Sequence, residues 1–137
     1  MAVFLFLNYR LPTKYHILES MIPFRNRFHG HNSLRFVYKN GRIVRSRYAT
    51  IKSSPNPRRN QPRMAVVVSK KVLKSAVRRN RIRRRIYDYI RNQTPRLNQN
   101  YDIVIIVSSS ELLDMPSEEL VAQLEQLFVQ SELYKTS

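Results

Sequence analysis

The 137-residue chain has no cysteine and only two glycines, Gly30 and Gly41. Without cysteine there is no disulfide framework and no thiolate metal site, and the absence fits a reducing cytoplasm. Two isolated glycines rule out the P-loop and the dinucleotide-binding fingerprint, which need several glycines close together. Acidic residues are scarce as well: nine Asp and Glu stand against 25 Lys and Arg, a formal charge of +16. The carboxylates gather late in the chain, where they read as solvated helix charges, and no Ser/His/Asp set can be assembled. His29 and His31 form a close pair with no third ligand at useful spacing, so they read as solvated loop histidines and not as a metal site. Long hydrophobic runs are missing too. Ala2 to Leu7 is far short of the roughly 20 apolar residues a membrane span needs, and it lacks the flanks of a signal peptide. No protein catalytic residue and no bound metal or cofactor is expected.

What the chain does have is positive charge, unevenly spread. Residues 1–57 carry a net +9, residues 58–96 a net +13, and residues 97–137 a net −6. The first two thirds are therefore the binding part, and the acidic end is expected to complete the core. The densest stretch, Ser75 to Arg91, holds seven arginines in seventeen residues. At about 100° per residue, Ile82, Ile86, Tyr89 and Ile90 fall on one side, while Asn80, Arg84, Tyr87 and Arg91 fall on another with Arg81 beside them. One face can pack while the other presents guanidiniums, planar five-donor forks that match phosphate. Such a helix suits a polyanion, and nucleic acid above all.

Around that helix the pattern predicts one α+β domain, a small mixed sheet with helices packed on it, in the order α-β-β-β-α-β-α. Residues 1–20 are expected to lie outside the domain, with 21–137 forming it. Asn32-Ser33 caps a short helix through Lys39, with Leu34, Val37 and Tyr38 at apolar spacing and Asn40-Gly41 as its stop. Ile43-Val44 and Tyr48 to Ile51 read as short strands. Ser53 to Arg63, with three prolines and three arginines, reads as a loop at the tip between two antiparallel strands. Met64 to Ser69 is a β-branched strand, and Tyr101 to Val107 is the most apolar one and so central. The last helix starts near Pro116-Ser117, with an apolar stripe of Leu120, Val121, Leu124, Leu127 and Phe128. Aromatics interleaved with basic residues, Tyr38 and Tyr48 among them, fit single-stranded nucleic acid, where bases stack on rings and cations hold phosphates. Packing in the core fits those two tyrosines equally well.

Ser69-Lys70-Lys71, then Ala76-Val77, then Arg79-Asn80-Arg81-Ile82-Arg83-Arg84 resembles the signature of the protein subunit of bacterial ribonuclease P. Tyr101-Asp102-Ile103-Val104 resembles that family's tyrosine–aspartate strand start, and the helix ending at Asn40-Gly41 its first helix. The resemblance runs from about Pro23 to Leu133. Leu34 and Tyr38 stand where phenylalanines are usual, Leu73-Lys74-Ser75 lacks the family's frequent glycine, and Tyr87-Asp88 replaces a common basic–acidic pair. The resemblance implies a ribonucleoprotein endonuclease that removes the 5′ leader from precursor tRNA in the cytoplasm. In it the RNA hydrolyses with bound Mg²⁺ and the protein assists. It implies that Lys70, Lys71, Arg79, Asn80, Arg81, Arg83 and Arg84 contact the catalytic RNA. It implies further that Tyr38, Tyr48 and Leu34 line a cleft for the single-stranded leader of the precursor tRNA. No protein partner and no membrane is implied.

Two other classes fit the composition. A structural RNA-binding protein such as a ribosomal component would share the charge and size. A DNA-binding protein would use the arginine helix in a major groove, but base-reading side chains there are few, chiefly Asn80 and Asn92.

Overall fold

The computed structural model describes residues 22–28, 32–98 and 100–135. The expectations for residues 1–20 and for the His29/His31 pair fall outside them. Helix α1 spans Asn32–Asn40, followed by strands β1 (Arg42–Arg45), β2 (Ala49–Pro55) and β3 (Arg63–Val68). Helix α2 (Ala76–Gln93), strand β4 (Tyr101–Val107) and helix α3 (Ser117–Gln130) complete the order read from the sequence.

The sheet runs β1-β2-β4-β3, antiparallel except for the β3/β4 pair, which is parallel. The apolar run of β4 therefore sits inside, with Ile103, Val104 and Ile105 fully buried. This corrects one expectation. The segment after β2 is not the tip of a hairpin, because β4 lies between β2 and β3. A strand buried on both faces does best with neighbours on both sides, and it displaces the local pairing. Ser53, Ser54, Pro55 and Arg63 are also strand residues, so the connection is shorter than expected.

Register sorts the sheet into two faces. Ile51, Ile103, Met64, Val66, Ile105 and Val68 point to the face covered by α2 and α3. Ile82, Ile86 and Ile90 of α2 and Leu120, Leu124 and Phe128 of α3 close that core. Val121, expected in the stripe of α3, is 46% exposed, because Leu120, Leu124, Leu127 and Phe128 already fill the contact. The opposite face carries Thr50, Lys52, Ala65, Val67 and Ile106, all half-buried, and among the described helices it is α1 that crosses it. Val37 of α1 and Val104 of β4, both fully buried and outside the main core, are the buried residues at that crossing. Gly41 lets α1 end against β2: a Cβ there would meet the Val37 carbonyl oxygen at 2.6 Å and that of Ser53 at 3.1 Å.

Candidate nucleic-acid interface

Helix α2 begins with Ser75, whose hydroxyl accepts the Arg78 N–H at 3.3 Å. No acidic residue occupies its first turn. The positive end of the helix dipole, which ordinarily attracts carboxylates, has Lys74, Arg78 and Arg79 in the adjacent sequence instead.

The seven arginines of this helix do different things. Arg81 and Arg84 are exposed and, among the described residues, have no partner; Arg78 is the same in its side chain. Arg79 instead donates to the carbonyls of Leu73 (3.0 Å) and Lys74 (2.7 Å). It thereby ties down the turn before the helix. That turn is closed by Ser69, whose carbonyl accepts the N–H groups of Val72 and Leu73 at 3.1 and 3.2 Å. Lys70 and Lys71 stand on it, exposed and without partners among the described residues. Arg83 donates to the Asn80 amide oxygen at 2.8 Å. Partial burial, with the Arg79 charge adding to it, lowers the Arg83 pKa from the usual guanidinium value, while Tyr87 opposes the shift. Arg85 is spent inside the protein, donating to Leu112 (2.6 Å), Leu113 (3.0 Å) and Met115 carbonyls at the 3-10 turn Ser110–Leu113.

Tyr87 does not share the arginine face. It is 4% exposed, and its hydroxyl accepts the Val66 N–H at 2.9 Å. β3 is an edge strand with N–H groups facing away from β4, and a buried donor must be satisfied. Helix α2 lies along that edge, and a tyrosine reaches from it. Simple periodicity misses this because the helix packs through a wider arc than one apolar stripe.

On the open face, Tyr38 and Leu34 are half-buried on one flank of α1. Lys52 Nζ donates to the Tyr38 carbonyl at 3.0 Å and lies 5.0 Å from its ring centroid, and burial raises the Tyr38 pKa. Tyr48 is placed elsewhere: half-buried, it packs against the core of the closed face, with Arg47 over its ring at 5.3 Å. The structure thus groups Leu34 with Tyr38 and separates Tyr48 from them.

At the end of the open face the sequence reading missed a polar cluster. Arg63 donates to both carboxylate oxygens of Asp102, at 2.9 and 2.7 Å, with side chains 8% and 6% exposed. Asn56 donates to Asp102 at 3.1 Å, and the Phe28 ring lies 5.0 Å from the Arg63 guanidinium. A single acid in an otherwise apolar strand was the available signal, since a buried carboxylate demands a cation. Above this cluster a cavity of about 480 Å³ opens towards the first turns of α1. Among the described residues there is no His/Cys/Asp/Glu group suited to a metal, and no helix long and apolar enough to cross a membrane.

Comparison with known proteins agrees with this arrangement. The family model described as Ribonuclease P matches residues 22–132. The ribonuclease P protein component of Chloroflexus aggregans is 32% identical over 111 residues, covering 81% of each chain. That of Symbiobacterium thermophilum is 36% identical over 92 residues, 67% of this chain and 78% of the relative. In fold, the chain resembles the RNase P protein of Staphylococcus aureus, with a TM-score of 0.72 at 24% identity over 80% of this chain and 98% of that one. It also resembles that of Thermotoga maritima, with a TM-score of 0.68 at 21% identity over 76% and 96%. A basic helix built on a four-stranded mixed sheet, the family match over most of the chain and the relatives together establish that the chain belongs to the family of bacterial ribonuclease P protein components.

Proposed function

We propose that this protein binds the catalytic RNA of ribonuclease P and the 5′ leader of precursor tRNA, and so assists the RNA in removing that leader. The observation that carries the reading is the row of Arg81 and Arg84, without partners among the described residues, on a helix whose other sides are locked into the fold. Phosphates would approach this row and the positive end of α2, with Lys70 and Lys71 held nearby by the turn that Arg79 ties down. Such contacts give affinity with steep salt dependence and little sequence preference.

The open face would take the single-stranded leader. Tyr38 and Leu34 form its wall and Lys52 offers a cation, while Tyr48, packed against the core of the closed face, stands apart from them. Asn80 and Arg83, bonded to each other, would present one donor surface to the RNA. The hydrolytic step, and the Mg²⁺ it uses, belong to the RNA in this reading. No protein side chain takes part in bond cleavage, and the assembly works in the cytoplasm.

Reconstitution tests this. The chain is mixed with the source organism's ribonuclease P RNA and a precursor tRNA at low Mg²⁺ and moderate salt. Leader removal faster than with RNA alone is the expected result. Tight RNA binding with no stimulation would overturn the proposal in favour of a structural RNA-binding role.

A further inference from the structure

We propose that the cavity between α1 and the end of the sheet is a binding pocket for a single unstacked nucleobase of RNA, with Phe36 as its stacking platform. The proposal deepens the RNA-binding reading above and rests on it. It concerns the flank of α1 opposite Tyr38 and Leu34.

The cavity holds about 480 Å³, within the range of roughly 300–1,000 Å³ typical of small-ligand sites. Phe36 lines it and is 55% exposed, with no place in either core. A large aromatic ring left in water beside a concave polar surface is the arrangement that stacks a base. The floor is rigid. Arg63 and Asp102 neutralise one another through two short hydrogen bonds, so the buried carboxylate does not repel a phosphate above it.

Asn56 is fixed on that floor. Its Nδ2 must face the Asp102 carboxylate, and its Oδ1 accepts the Arg58 N–H at 3.3 Å. This leaves one amide N–H and one acceptor lone pair for a ligand. Asn32, on the wall, adds a second amide. Paired donors and acceptors of this kind match the hydrogen-bonding edge of a nucleobase. Arg58 at the rim is exposed and has no side-chain partner among the described residues, which suits the phosphate attached to such a nucleotide. Duplex RNA is excluded by shape, because its bases are stacked and paired. The base must come from a single-stranded segment, either the precursor's leader or an unpaired nucleotide of the catalytic RNA.

The test uses the reconstituted holoenzyme with Phe36→Ala, and with Phe36→Tyr as the variant that keeps a ring. Three affinities are measured: catalytic RNA for protein, holoenzyme for precursor tRNA, and holoenzyme for mature tRNA without a leader. The expected result is a loss of about tenfold with Phe36→Ala, restored by Phe36→Tyr, at an unchanged melting temperature. A loss for precursor but not for mature tRNA assigns the base to the leader. A single abasic leader position should then abolish the difference between wild type and Phe36→Ala. A loss in assembly with the catalytic RNA assigns the base to that RNA. Phe36→Ala leaving all three affinities unchanged, while Arg81→Ala with Arg84→Ala weakens assembly, overturns the pocket and leaves the RNA-binding reading standing. If neither variant changes any affinity, both fall.

Discussion

Arg81 and Arg85 stand about one turn apart on α2 and belong to two different regions of the molecule. Arg81 lies with Arg84 on an outward ridge without a protein partner among the described residues, whereas Arg85 reaches inward to three carbonyls at the end of the 3-10 turn before α3. Arg63 is further in still, buried against Asp102. The formal charge of +16 is therefore not one reservoir available to RNA. Some guanidiniums are structural donors inside the fold, and others, Arg81 and Arg84, have no partner among the described residues. The two groups differ in what they satisfy. Inside, a guanidinium answers backbone carbonyls or a carboxylate that would otherwise be left without a partner. Outside, it stays hydrated until an anion arrives.

The division predicts opposite results for the two groups, and the largest effect belongs to the most buried member. Arg63→Ala strands the Asp102 carboxylate and is expected to cost about 3–5 kcal/mol, read from denaturant unfolding. Replacing both partners, Arg63→Met with Asp102→Leu, should recover most of that loss, because no charge is then left alone in the interior. A small stability loss in Arg63→Ala with a large loss of RNA affinity would place Arg63 in the other group.

On the ridge the outcome reverses. Arg81→Ala with Arg84→Ala should leave stability within about 0.5 kcal/mol while weakening binding of the catalytic RNA by roughly ten- to a hundredfold at moderate salt. The slope of log affinity against log salt should flatten by about 1.5, the share of two phosphate contacts. Binding titrations over a salt series separate this from a general loss of fold. A slope that does not change would mean that these two side chains do not meet phosphates.

Arg85→Ala is the intermediate case and the sharpest control, since it removes the same charge from the same helix. About 1–3 kcal/mol of stability should go with the lost carbonyl bonds, and the salt slope of RNA binding should stay as it was. Arg85→Lys should not restore the full loss, because one ammonium nitrogen cannot reproduce the two separated nitrogens by which the guanidinium spans the Leu112, Leu113 and Met115 carbonyls. If Arg85→Ala flattened the slope as much as the ridge pair does, the distinction between the two groups would collapse into simple charge counting.

How much of this was legible beforehand follows from how local each feature is. Elements were readable because their signals are local: Ser75 before α2, Asn40-Gly41 after α1, and the apolar run of β4. Sheet order was readable only in part. The apolar run of β4 marked it as an inner strand, but that it separates β2 from β3 is a long-range pairing that no neighbouring residue encodes. The amphipathic reading found the ridge but put Tyr87 on it, because an edge-strand N–H at Val66 is invisible until the helix is docked. It left open which arginines are spent internally, since Arg81 and Arg85 differ only in what lies across from them. Phe36, Asn56 and Asp102 are far apart in sequence, so the pocket they share could only appear in three dimensions.

A partnered arginine at the surface, Arg96, marks the site of the smallest effect, which comes from the tyrosines beside it. Arg96 lies 4.1 Å from the Tyr134 ring centroid and 3.3 Å from Glu125. The Tyr134 and Tyr89 hydroxyls both donate to one oxygen of Glu125, at 3.0 and 2.7 Å. Burial, more than these bonds, pushes Tyr134 up to about 12 and raises Tyr89 as well. A phenol whose folded pKa lies above its unfolded value of 10.0 contributes stability that is complete below pH 10 and lost as pH rises towards 12. Glu125 is shifted the other way, chiefly by the Tyr89 hydrogen bond, so its contribution is present above the ordinary glutamate range and fades as pH falls through its lowered value. The melting temperature should therefore decline from about pH 10 upwards. Tyr134→Phe should make that alkaline decline shallower without touching RNA binding. An unchanged alkaline slope would show that Tyr89 alone carries it, and would reduce the role of Tyr134 to packing its ring between Phe128 and Arg96.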